Sequence, residues 1–168
     1  MKKLISLLLS ALLALGCAAA LAQEEPVDFT PYGFTLDVPD ELELSYSPDD
    51  STDDELVYVG GNEEETYFIT IVLYRYDDAT DIRTWEQGEI DAYVADIAAE
   101  EGYSNVSSAV LSGVSFVMGT YTDGEDIYYD ALTYLNGYEL QISFFGSLEA
   151  SELQTAAAAV MQTYAPVE

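Results

Sequence analysis

Carboxylates are the one abundant source of chemistry in this sequence. Its 168 residues hold 32 Asp and Glu against four Lys and Arg, with no histidine and a single cysteine, Cys17. Zinc sites built on His or Cys therefore lack ligands. Ser-His-Asp and Cys-His nucleophilic systems, Schiff-base lysines and a P-loop lysine fail on the same inventory. What survives is acid/base work by an Asp/Glu pair, above all on a glycosidic bond. Asp130 is the acid to examine, because it interrupts the apolar run from Ile127 to Leu135, with Tyr128, Leu132 and Tyr134 at its own parity. Rings beside a carboxyl raise its pKa by excluding water. The plainer reading leaves Asp130 on the outer, tyrosine-dressed face of a sheet.

Aromatic side chains are the second feature. Tyr74, Tyr76 and Trp85 gather near the exit of one strand, and Tyr128 and Tyr134, with Tyr121, lie across a later hairpin. Either group could form a flat surface for a sugar or a peptide. Tyrosine is also a good strand residue that packs its ring and keeps its hydroxyl wet. The candidate ligand-binding residues are thus Tyr74, Tyr76, Trp85, Tyr128, Asp130 and Tyr134.

Two acidic loops offer oxygen ligands. Asp49, Asp50, Asp53, Asp54 and Glu55 form one, and Asp123, Glu125 and Asp126 form the other beside Gly124. Calcium suits such ligands, but neither loop matches the EF-hand pattern. Solvated acidic loops are the plainer reading, and no cofactor is expected.

Charge also sets the partners. Nucleic-acid binding needs clustered Lys and Arg, which are absent, so the expected partner is a protein or a glycan. An apolar share of 49% and an aromatic share of 12% are too high for a disordered acidic tail.

Met1-Lys2-Lys3, the leucine-rich run Leu4 to Leu15 and the small residues after it read as a secretory signal peptide over residues 1–22. Ala20-Leu21-Ala22 before Gln23 fits the cleavage rule and implies a released, extracellular protein. Leu13-Ala14-Leu15-Gly16-Cys17 offers the alternative, a lipobox in which Cys17 is lipidated and tethers the chain to the envelope. Past residue 22 there is no cysteine for a disulfide, and only Arg75 and Arg83 oppose all 32 acids. No membrane-spanning segment is expected once the signal is removed.

Residues 23–168 read as one domain. Phe34, Leu36 and Val38 alternate with polar residues as a strand stopped by Pro39, and a polar loop runs from Ser45 to Asp54. Leu56 to Val59 reads as a strand turned by Gly60-Gly61-Asn62. Tyr67 to Tyr76 is apolar at both parities, which marks a central strand covered on both faces. Thr84 and Gln87 fit a capping box for a helix that Gly102 ends, with Trp85 at its first position. A meander follows: Val106 to Leu111, Val114 to Tyr121, Ile127 to Leu135 and Tyr138 to Phe145, with turns at Ser112-Gly113, Asp123-Gly124 and Asn136-Gly137. In its last strand Tyr138, Leu140, Ile142 and Phe144 should face inward and Glu139, Gln141 and Ser143 outward. A second helix starts near Ser151 and is closed by Pro166.

Tyr32-Gly33-Phe34-Thr35-Leu36-Asp37-Val38-Pro39, the Ser112-Gly113-Val114 turn and the Asn136-Gly137-Tyr138 hairpin before a closing helix resemble the PsbP-like family. That family shares its fold with a Ran-binding nuclear import factor and has exported single-domain bacterial members. The resemblance implies an α+β fold, a mostly antiparallel sheet of about six to seven strands with two main helices packed on its faces. It implies no site residues. The expected function is a secreted, non-catalytic binding or accessory module at the envelope or outside the cell. A small carboxylate-dependent glycan hydrolase and a glycan-binding module using the tyrosines are the alternatives.

Overall fold

Alternation of apolar and polar residues builds most of this molecule as sheet. The computed structural model describes residues 27–76, 80–124 and 126–167. The expected signal peptide, Cys17 and Glu125 lie outside them. The strands are β1 (Phe34–Thr35), β2 (Ser45–Tyr46), β3 (Glu55–Gly61), β4 (Tyr67–Arg75), β5 (Tyr103–Leu111), β6 (Val114–Asp123), β7 (Asp126–Leu135), β8 (Tyr138–Gly146) and β9 (Ala165–Pro166). The helices are α1 (Gln87–Ala98) and α2 (Ala150–Met161). Seven strands form one antiparallel sheet in the order β2-β3-β4-β8-β7-β6-β5, and β1 pairs with β9 in a separate two-stranded sheet. The architecture is α+β and mostly sheet, as the sequence implied.

One face of the large sheet is dry. Ile69, Ile71, Leu73, Phe116, Leu140, Ile142 and Phe144 are each at most 1% exposed there. Leu153, Ala157, Val160 and Met161 of α2 pack onto them, with Phe29, Phe34 and Tyr164 from the chain ends. The Phe116 and Tyr164 rings meet edge to face at 4.8 Å. α1 serves the opposite face, where Ile97 packs on Val117 and Leu132 beside Tyr93, Val94, Tyr103 and Val106.

The turn chemistry of the last hairpin holds as expected. Asn136 and Gly137 have φ of 51° and 82°, the paired positive values of a two-residue turn that joins β7 to β8 with Leu135 opposite Tyr138.

Five local expectations are corrected. β1 stops at Thr35, opposite Ala165, because the next residue in register, Tyr164, gives its N–H to the Met161 carbonyl in the turn that closes α2. The loop from Ser45 begins as strand β2, pairing with β3. Gly60 and Gly61 lie inside β3, where a Cβ would meet the Leu42 carbonyl at 2.4 Å or the Phe68 ring at 2.6 Å. The turn is made by Asn62, whose Oδ1 accepts from the backbone N–H of Thr66 and Tyr67. The capping box belongs to Glu86 and Glu89, with the Glu86 N–H donating to Glu89 Oε2 at 2.7 Å. Thr84 is spent in the preceding 3-10 turn, donating its hydroxyl to the Asp81 carbonyl, and Trp85 ends that turn before the helix begins. Finally, Glu139 and Ser143 are 7% and 6% exposed. The second face of β8 is buried too.

Candidate functional site

The second face can be read as rows of side chains running across the strands. Register fixes each row, since facing residues in antiparallel strands present their side chains on the same side. The first row is Glu55, Tyr74, Glu139 and Tyr134 across β3, β4, β8 and β7. Next comes Val57, Val72, Gln141, Leu132 and Val117, and then Val59, Thr70, Ser143, Asp130 and Gly119. The last row is Phe68, Phe145, Tyr128, Tyr121 and Tyr103, extending from β4 to β5.

That last row is a continuous aromatic ladder. Its ring centroids are separated by 5.3, 5.1, 5.9 and 5.1 Å in order, within the range of favourable ring contact. Every ring in it is half-buried, so each keeps part of its surface open.

A second aromatic group sits at the other end of the same face. Trp85 lies 5.4 Å from Tyr134 and 5.8 Å from Tyr93, Tyr93 lies 5.3 Å from Tyr134, and Tyr76 completes the group at 6.3 Å from Tyr134. These rings pack on one another. The Tyr93 hydroxyl donates to Glu139 Oε1 at 3.0 Å, and the Trp85 indole donates to Thr80 Oγ1 at 2.8 Å. Burial, and then the Glu139 charge, raise the hydroxyl pKa of Tyr93 and Tyr134 far above the ordinary tyrosine value. Glu55 is also raised, mainly by burial, with the Tyr74 hydroxyl opposing and Asp50 adding to the rise.

Asp130 lies between the two aromatic groups. It is 5% exposed, and its Oδ2 accepts the Tyr103 hydroxyl at 2.5 Å. Tyr103 reaches it because the intervening position on β6 is Gly119, where a Cβ would stand 3.1 Å from the Tyr103 ring and 3.2 Å from Val106. Burial raises the Asp130 pKa, while Tyr103 and Ser143 pull it down. Its Oδ1 has no hydrogen-bond partner. The plainer reading of Asp130, an acid on the outer face of the sheet, is corrected: the second face is covered there, and the carboxyl is buried beside rings.

The six candidate ligand-binding residues thus share one face, though not one cluster. Tyr74, Tyr76, Trp85 and Tyr134 stand at one end, Tyr128 in the ladder at the other, and Asp130 in the row beside the ladder. Tyr103, Phe68 and Phe145 were missed in the sequence. The alternation of Phe68 and Phe145 with core residues was the available signal; Tyr103 had none, because a bulge between Ser104 and Ser107 shifts the register of β5.

The acidic loops are dispersed. Among the described residues no three acids converge as metal ligands. Asp50 accepts the Ser47 hydroxyl at 2.6 Å, and Glu55 points into the sheet row beside Tyr74. Asp123 and Asp126 face each other across the β6–β7 turn. No helix among the described residues is long and apolar enough to cross a membrane.

Neither a family model nor a curated protein matches the chain. Among solved structures it is similar to LpqN, involved in cell envelope biogenesis of Mycobacterium tuberculosis. The two share 14% identity with a TM-score of 0.42, over 80% of this chain and 83% of that one. The likeness is too distant to carry a residue or an activity from one chain to the other.

Proposed function

We propose that this protein is an exported, non-catalytic binding module of the PsbP-like type, acting at the cell envelope or outside the cell through the second face of its sheet. The aromatic ladder is the observation that carries the reading. Five half-buried rings in register across five strands present an extended apolar strip, next to the buried polar row of Thr70, Ser143 and Asp130. Among binding functions, that strip favours a glycan, whose sugar faces stack on rings while its hydroxyls seek polar neighbours. A formal charge of −28 favours a neutral or cationic glycan over an anionic one.

Two spacings weigh against the hydrolase alternative. Asp130 faces Ser143, four residues along β8 from Glu139, so those two acids stand roughly 13 Å apart at about 3.3 Å per residue. Glycosidic cleavage uses carboxyls about 5–9.5 Å apart. Glu55 and Glu139 are two strands apart, but Tyr74 stands between them and occupies the place of an attacking water.

Retention on insoluble polysaccharides and on peptidoglycan tests the proposal, with reducing-end release measured in the same tubes. The expected result is retention by at least one matrix, lost in Tyr121→Ala/Tyr128→Ala, and no release of sugar. Turnover that Asp130→Asn or Glu139→Gln abolishes, with the fold intact, would establish the hydrolase instead.

A further inference from the structure

The large sheet ends in two edges, and they are built differently. β2 closes one edge with only Ser45 and Tyr46, followed by Pro48 and the acids of residues 49–55. Short strands, proline and charge are the usual protection against edge pairing. β5 closes the other edge with nine residues, Tyr103–Leu111. From Gly102 to Thr122 there is no charged residue, in a chain where 21% of residues are charged. Val110 on this edge is 68% exposed, the most exposed large apolar side chain among the described residues.

The backbone of this edge is free to pair. Ser112-Gly113 is a two-residue turn with φ of 49° and 83°, so Leu111 and Val114 beside it form a hydrogen-bonded pair. Bonding alternates from there: Leu111, Ala109 and Ser107 bond β6, while Ser108 and Val110 turn their N–H and C=O groups to the open edge. The bulge after Ser104 ends the regular run at one side and the turn ends it at the other. α1 covers β5 only as far as Val106, leaving Ser108 and Val110 exposed.

The charge balance points to the occupant. A cationic partner would be drawn to almost any part of a surface this acidic. An edge cleared of charge matters for a partner that is itself strongly negative, and with a formal charge of −28 this chain meets that description. We propose that β5 pairs antiparallel with β5 of a second copy about a two-fold axis, Ser108 opposite Val110 of the other copy, so that two sheets become one. Such a contact is small and forms a weak dimer. Asp96 of α1, Glu100 and Glu101 just after it, and the charge of the whole chain oppose it. Salt therefore strengthens this association, the reverse of its effect on an interface held by ion pairs.

Sedimentation velocity tests this on protein purified from cells expressing the full-length chain. Sodium chloride is raised from about 0.01 M to about 1 M, which shortens the Debye length from ~30 Å to ~3 Å. The weight-average mass should climb toward twice the monomer value at high salt. Ser108→Pro removes an outward N–H without touching the β6 bonds, and Val110→Glu puts a charge into the contact. Both variants should remain monomeric with melting curves like the parent's. A monomer at every salt and concentration, a dimer that salt dissociates, or a dimer untouched by either variant overturns the proposal. So does a monomer that pairs only with an extended peptide of another sequence.

Discussion

Alternate residues of one strand show how differently the two faces of this sheet are made. Leu140, Ile142 and Phe144 of β8 point to the first face and are at most 1% exposed; Glu139 and Ser143 point to the second and are 7% and 6% exposed. Depth is nearly the same and chemistry is opposite. The first face gains its stability from removing apolar surface from water, which asks only for complementary shape. The second holds two buried acids on tyrosine hydroxyls and tolerates an orphan oxygen on Asp130, a costly arrangement that packing alone does not demand. Burial identifies a core, whereas polar burial without a structural gain marks the face where a function is to be sought.

Substitutions on each face should behave accordingly. Phe116→Ala should have the largest effect, about 3–5 kcal/mol in urea denaturation, because it empties a site where α2 and Tyr164 meet the sheet. A loss near 1 kcal/mol would mean the first face repacks, and the contrast would weaken. Tyr103→Phe should cost about 1–3 kcal/mol at neutral pH by stripping Asp130 of its hydroxyl donor. That loss should shrink on acidification, since a protonated carboxyl needs the donor less. Gly137→Val should cost roughly 1–2 kcal/mol for the left-handed backbone alone, and more for the β-branch. If it melts with the parent, the β7–β8 register that aligns both faces is wrong.

Asp130→Asn should have the smallest effect and the opposite sign. Burial raises the Asp130 pKa above its unfolded value, so its ionisation above that pKa works against the fold. The stability associated with the protonated group is complete below the ordinary carboxylate range and is lost as pH rises through the folded pKa. The amide imitates the protonated form and keeps an acceptor for Tyr103. At pH 7 the variant should melt slightly above the parent, and the gap should close toward about pH 4. A variant less stable at pH 7, with the gap unchanged by pH, would place the importance of Asp130 in its charge.

Much of the fold was legible, because β-structure writes a period of two and turns need particular residues. Asn136-Gly137 and the alternation in β8 gave the last hairpin and its first-face residues directly. What failed was local competition. Thr84 has the chemistry of a helix cap and uses it in an earlier turn; Gly60 and Gly61 are present for close backbone and ring approach, not for bending. The second face was misread as open because polarity in a strand usually means solvent, and the cover from α1 is a tertiary fact. For the same reason the six candidate residues were found in two separate groups, while the ladder joining Tyr128 to Phe68 and Tyr103 needed strand order that no sequence pattern states.

The central claim, that the second face is a ligand surface without catalysis, is tested most directly by following the ring resonances of the tyrosines and phenylalanines by NMR. The probes are soluble chito- and cello-oligosaccharides and peptidoglycan fragments, each added to saturation. The account predicts concentration-dependent shifts for Tyr121, Tyr128 and Phe145, little change at Phe116 and Phe144, and a probe that remains intact throughout. Binding confined to first-face or chain-end residues, or a probe cleaved during the titration, would contradict it.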